Sequence, residues 1–208
     1  MLDSIDLSLF ILSSIVLIFA PGPDLLFLIA HSLNNSIRNA IALALGLASG
    51  NLVHTIAVTL GVTLALQTHK QVFLVIQYLG AAYLLYLAYK ILTTTHSKKT
   101  KYQSLNNNHA SFFMRGVLMN ILNPKVGFFF LAFLPQFIPN DSSRPHVTMM
   151  LLGIIFTILV IIIFCSITVL THQFKQHTFI NLFHHRFFDW LSATVFIALS
   201  FHLFTNIL

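Results

Sequence analysis

Asp24 and Lys125 carry opposite charges, and each directly follows a proline within an otherwise apolar segment. The first stretch reads Phe19-Ala20-Pro21-Gly22-Pro23-Asp24-Leu25-Leu26-Phe27-Leu28, and the second Asn120-Ile121-Leu122-Asn123-Pro124-Lys125. Holding one charge near the centre of a bilayer costs about 2.5–3.5 kcal/mol on insertion scales. Two such charges, opposite in sign, suggest a use. The prolines make the two places alike, because each lacks an N–H and crowds the preceding turn. The segments are therefore expected to be broken or kinked, at Pro21, Gly22 and Pro23 in one and at Pro124 in the other. Backbone without its helix bonds is tolerated at membrane depth only inside protein or beside a wet cavity. The hypothesis is that Asp24 and Lys125 face one shared cavity. The plainer alternative is that the prolines only shape the helices and the two charges form a buried packing ion pair.

The elements that must position these residues are membrane spans. The 208-residue chain is 57% hydrophobic and 8% charged, with 21 Phe, whereas a globular domain carries about 25% charged residues. A soluble fold cannot cover its surface with so few. A span needs about 20 mainly apolar residues, and six stretches qualify: 7–30, 40–66, 72–92, 112–138, 147–170 and 187–204. The long polar segment 93–111 divides them into three and three. The expected fold is therefore all-α, a single membrane domain over 1–208. Its first repeat covers about 1–92, its loop 93–111 and its second repeat about 112–208. An odd number of spans per half inserts the halves in opposite orientation, which gives a 3+3 inverted repeat with broken first and fourth helices.

Charge sets orientation. Arg38, Lys90, Lys98, Lys99, Lys101, Arg115, Lys175 and Arg186 fall on one side, against Lys70 and Arg144 on the other. The richer side is expected in the cytoplasm, which places both termini outside, in the periplasm of a Gram-negative cell. The segment before Leu7 holds Asp3 and Asp6 and no basic residue, unlike a cleaved signal. The basic residues are scattered between apolar spans, so a bilayer surface explains them better than nucleic acid. The one cysteine, Cys165, excludes an internal disulfide. There is no phosphate-binding loop, nucleophile–His–Asp set or zinc spacing. No enzyme activity, metal or cofactor is expected.

Other polar groups sit within the spans. Ala42, Gly46, Gly50 and His54 recur every four residues. Gly46 and Gly50 form a small-residue face for close helix packing, within one chain or between subunits. His54 is a candidate proton relay, or a hydrogen-bonded core histidine. Asn120 and Asn123 stand just before Pro124 and could cap the following half-helix or bind substrate. Tyr78 and Tyr83 could face the cavity, and core packing suits them equally. His96, His109, His172, His177, His184 and His185 read as solvated surface, the alternative for the clustered pair being a metal site that lacks any Cys or Glu.

These motifs have a family resemblance. Pro21-Gly22-Pro23-Asp24, Gly46-Leu47-Ala48-Ser49-Gly50 with His54, and Tyr78-Leu79-Gly80-Ala81-Ala82-Tyr83 through Lys90 carry its first part. Phe113 to Gly116, Asn120 to Lys125, and Phe133-Leu134-Pro135-Gln136-Phe137 carry the rest. In order and spacing the chain resembles the LysE/RhtB family of bacterial amino-acid exporters over residues 19–137. The resemblance implies a six-span inner-membrane carrier, working in oligomers. It implies export of amino acids or close derivatives such as threonine, homoserine or lysine, driven by the proton gradient.

An amino acid offers one carboxylate and one ammonium, which match Lys125 and Asp24. Lys125 is expected to attract the carboxylate, and Asp24 to take the ammonium or the coupling proton. A competing assignment makes Asp24 and Lys125 a gate that substrate opens. Substrate-binding or coupling candidates are thus Asp24, Lys125, Asn123, Asn120, His54 and Tyr83. The alternatives in function are a cation or metal carrier and a non-transporting membrane assembly protein. A scarcity of deep carboxylates disfavours the first, and paired charges at broken helices disfavour the second.

Overall fold

A computed structural model describes residues 6–68, 70–93, 109–138, 144–173 and nine positions between 190 and 204. These residues are helical, with no strand among them. Helix α1 is Leu7–Phe19, α2 Pro23–Asn34, α3 Ile37–Thr68, α4 Lys70–Thr93, α5 His109–Ile121, α6 Pro124–Phe128 and α7 Pro145–Gln173. By length and composition, Ile37–Gly61 and Pro145–Gln173 can each cross a membrane, and two bent pairs can do so as single spans. The pairs are α1 with α2, bent by 58°, and α5 with the segment Pro124–Phe137, bent by 51°. Four expected spans thus coincide with two to four crossings, and α4 covers the expected third. Half of the expected sixth span, and most of the expected loop at 93–111, lie outside the described residues.

The helices outrun their apolar cores. The polar connection expected over 31–39 shrinks, because α2 continues to Asn34 and α3 begins at Ile37. At that end of α2, Asn34 and Ser32 side chains bond the Ala30 and Leu28 carbonyls, so polar residues are accommodated in the last turn. His109, Ala110 and Ser111 likewise belong to α5 rather than to a loop.

Helix α3 lies at the centre, packed mainly against α5 and α7. Small residues set both contacts. A Cβ at Gly46 would overlap the Phe113 carbonyl of α5, and one at Gly116 would come within 2.5 Å of the Leu43 carbonyl oxygen of α3. The Gly46/Gly50 face is therefore filled within the chain. On the opposite contact, a Cβ at Gly153 of α7 would run into the Thr55 side chain. Among the described residues, nothing lies within 4 Å of a Cβ placed on Gly61. Gly61→Ala should accordingly leave the fold unchanged or stabilise it by up to about 1 kcal/mol through helix propensity. Thermal unfolding of the purified protein checks this, and a marked destabilisation would mean that another surface covers Gly61.

Beyond α6 the winding changes. Phe129–Phe133 widens into a π-helix and Leu134–Phe137 tightens into a 3₁₀ turn. Leu134 N–H reaches the Phe129 carbonyl five residues back. The Gln136 side chain donates to the Ala132 carbonyl at 2.8 Å. The wide turn presents Phe129, Phe130 and Phe133, all fully buried. Phe129 and Phe130 pack on Phe156 of α7, with centroids at 4.9 and 5.2 Å. Against the same turn, a Cβ at Gly80 of α4 would overlap Ala132. Large exposed apolar residues such as Leu60, Leu79, Leu118 and Ile158 point outward, as lipid-facing positions should. Tyr78 is among them and contacts Phe204, so it does not face the interior as its position in the sequence suggested.

Candidate functional site

Both bends arise from missing N–H groups. Pro21 leaves the Leu17 carbonyl without its helical donor, and the Ala20 N–H takes it up at 3.2 Å while also bonding Val16 at 2.9 Å. Residues before proline are driven out of the helical region, and Ala20 (ψ 128°) and Gly22 (φ −153°, ψ 170°) are extended. Helix α2 restarts with Pro23 at its first position, where no N–H is needed. The second break repeats this plan. Asn123 is extended (φ −79°, ψ 107°), Pro124 opens α6, and the Asn123 side chain accepts from the Lys125 N–H at 3.0 Å. Asp24 and Lys125 thus hold the same place, one residue past a proline in a restarting first turn.

The two breaks meet. Lys125 Nζ donates to the carbonyl of Ala20, the residue that ends α1, at 2.8 Å. At the start of α6 the ammonium would oppose the helix dipole, but at the end of α1 it lies where a cation is favoured. Asp24 lies in the first turn of α2, where a carboxylate is favoured. Gly22 separates them: a Cβ there would be 2.9 Å from Asp24 Oδ1 and 3.3 Å from Lys125 Nζ. Asp24 and Lys125 are 4% and 5% exposed. Among the described residues, Asp24 Oδ1 has no hydrogen-bond partner. Lys125 has three donors, of which Ala20 accounts for one. An open acceptor and open donors therefore face the same point over the backbone of Gly22.

Asn120 and His54 form a second group beside the α5–α6 break. Asn120 Nδ2 donates to Asn51 Oδ1 at 3.1 Å, and His54 Nε2 lies 3.2 Å from the Asn120 carbonyl. Asn120 Oδ1, Asn51 Nδ2 and Asn123 Nδ2 are buried without partners. Gly50 makes room for this group, since a Cβ there would sit 2.5 Å from Asn120 Oδ1. Tyr83 is half-buried and stacks on Phe128 at 4.2 Å. It touches α6, and no bond joins it to Asp24 or Lys125. Asn51 was not among the sequence candidates. Its signal is the three-residue spacing from His54, which puts both on one helix face. The Ala20 carbonyl leaves no trace in the sequence, because every residue carries one.

A model of the LysE type translocator family matches residues 15–206. The chain belongs to that family. This LysE-family chain is 30% identical over 171 residues to leucine efflux proteins of Salmonella choleraesuis and Salmonella typhimurium, covering 81% of the chain and 79% of each relative. It is 29% identical over 155 residues to an uncharacterized membrane protein of Pseudomonas aeruginosa, covering 72% of both. No solved structure matches it. The family match extends past residue 137, where the sequence motifs stop, through α7 and the terminal segment. The LysE-family chain is thus a multi-pass membrane translocator whose two proline breaks meet at Gly22.

Proposed function

We propose that this chain exports amino acids or close derivatives across the bacterial inner membrane, driven by the proton gradient. The observation that carries the reading is the open carboxylate oxygen of Asp24 and the incompletely bonded ammonium of Lys125, set around Gly22. A zwitterion presents the complementary pair. Lys125 takes the substrate carboxylate and Asp24 the substrate ammonium, both in a desolvated site where charged hydrogen bonds are strong. Binding of substrate fits these open valences better than a closed gate, in which Asp24 Oδ1 would be occupied by Lys125. The leucine efflux relatives support an amino-acid substrate. Asn123 keeps Lys125 in place by capping its N–H, and Asn120 ties the break to α3. The shared plan of the two breaks supports a 3+3 inverted repeat of six spans, with both termini periplasmic.

Proteoliposomes loaded with labelled leucine, threonine, homoserine or lysine test the proposal, with and without a pH gradient. Gradient-dependent movement of at least one of them is expected, and silence across the panel would remove the reading. Asp24→Asn should lower transport by about ten- to a hundredfold, the worth of one charged hydrogen bond, while the protein still reaches the membrane. Transport normalised to the amount of inserted protein measures this. A fully active variant would take Asp24 out of the site.

A further inference from the structure

The Asn120 carbonyl has lost its helical donor, because the residue four places on is Pro124. It accepts from the Asn123 N–H at 3.0 Å, and its second lone pair faces His54 Nε2 at 3.2 Å. A carbonyl oxygen only accepts, so the imidazole nitrogen in this contact must carry the proton. That fixes the tautomer of neutral His54: hydrogen on Nε2, open lone pair on Nδ1. Among the described residues, the ring has no hydrogen bond besides the one at Nε2. One face stacks on Phe130, with centroids 5.7 Å apart. Its edge lies beside Gly127, where a Cβ would be 3.6 Å from Cε1.

We infer that His54 carries the coupling proton, binding and releasing it at Nδ1 while Nε2–H stays on the Asn120 carbonyl. The inference rests on the proposed export reading, in which Asp24 and Lys125 are occupied by the two charges of the substrate and a third titratable group is needed. A proton arriving from water on one side forms the Nδ1–H bond. The same bond breaks toward the other side, so one proton crosses as substrate moves the opposite way and nothing else is consumed. The imidazolium donates from both nitrogens, so protonation does not break the anchor. It strengthens it, since a charged donor bonds a carbonyl more tightly. Protonation is therefore read directly at the α5–α6 break, where Asn120 is also held by Asn51 and Lys125 lies five residues on.

The elements around His54 bring few charged or titratable groups. Lys125 on α6 and Asp24 on α2 lie at the adjoining break. Tyr83 on α4 stacks on Phe128. From α5 the ring meets neutral Asn120. On α7, near the Gly153–Thr55 contact, Leu152, Ile154 and Phe156 bring no titratable group.

The test compares wild type with His54→Gln and His54→Ala in proteoliposomes, using labelled leucine, threonine, homoserine and lysine. One arm reads exchange without a gradient and the other reads uphill accumulation driven by a pH gradient. Glutamine can place an N–H near Nε2 but cannot titrate. The ratio of driven accumulation to exchange should fall about tenfold or more in His54→Gln, within the usual range of site-to-site coupling, and its pH dependence should flatten. His54→Ala should lose exchange as well, because the second lone pair of the Asn120 carbonyl then loses its donor and the break its tie to α3 at that point. A wild-type ratio and pH profile in His54→Gln would overturn the inference. So would equal loss of both arms in His54→Gln, which marks a purely structural histidine. Nitrogen-15 NMR of histidine-labelled full-length protein, with His54→Gln identifying the signal, gives a readout free of transport. Neutral His54 should show its hydrogen on Nε2 and titrate at Nδ1, and a hydrogen on Nδ1 overturns the inference. If wild type moves no amino acid in either arm while NMR shows this tautomer and titration, the export reading fails and the proton site stands.

Discussion

Lys125→Met should abolish transport and strongly destabilise the protein. Methionine has a similar length and no charge. It leaves the Ala20 carbonyl at the end of α1 without the donor that now reaches it at 2.8 Å. It also leaves Asp24 as a buried carboxylate, 4% exposed, with no cation beside it. Leaving a buried polar group unsatisfied costs about 1–3 kcal/mol, and more where the group left behind is charged. Thermal unfolding in detergent should show the loss directly. The double variant Asp24→Asn/Lys125→Met removes both charges and should recover much of that stability while remaining inactive. If the double variant were as unstable as Lys125→Met alone, Asp24 would not be the group that Lys125 balances. If Lys125→Met transported normally, the zwitterion site would be wrong.

Gly46→Leu should prevent α3 and α5 from docking. The Cβ of any residue at 46 would overlap the Phe113 carbonyl, which is backbone and cannot rotate away. The helices must separate, and Gly116 shows why this is general along the contact: its own Cβ position lies 2.5 Å from the Leu43 oxygen and 2.7 Å from the Leu47 nitrogen. Overpacking by a methylene or two already costs about 1–3 kcal/mol, and leucine adds a whole side chain. Separation also pulls Asn120 from Asn51 and His54, whose bonds are 3.1 and 3.2 Å. Folded yield and thermal unfolding should both fall, with Gly61→Ala as the control that does not. An unaltered melting temperature for Gly46→Leu would mean that α3 and α5 do not meet through Gly46.

Much of the site could be read in the sequence because its causes are local. A proline lacks an N–H wherever it is placed, so the bends of 58° and 51° follow from Pro21, Pro23 and Pro124 alone. The cap on α6 was legible for the same reason, since Asn123 bonds an N–H two residues away. The winding of Phe129–Phe137 was not legible. Its π and 3₁₀ turns answer to packing of Phe129 and Phe130 on Phe156, which no local preference announces. Tyr78 and Tyr83 look equivalent in sequence, yet Tyr78 turns outward toward Phe204 and Tyr83 turns onto Phe128. The difference lies in which face of α4 meets the bundle.

Local sequence is enough to establish a multi-pass helical membrane protein, two of whose segments break at proline with one charge at each break. Composition and the chemistry of proline are properties of short stretches and need no partner. What those breaks do to one another follows from packing. The Lys125 ammonium reaches a carbonyl 105 residues away in the chain, and Gly22 becomes the point that Asp24 and Lys125 share. By sequence the Gly46 and Gly50 face could pack within one chain or between subunits, and the approach of α5 fills it within the chain. Such choices depend on which surfaces are in contact, and contact between distant segments is fixed only when the helices pack.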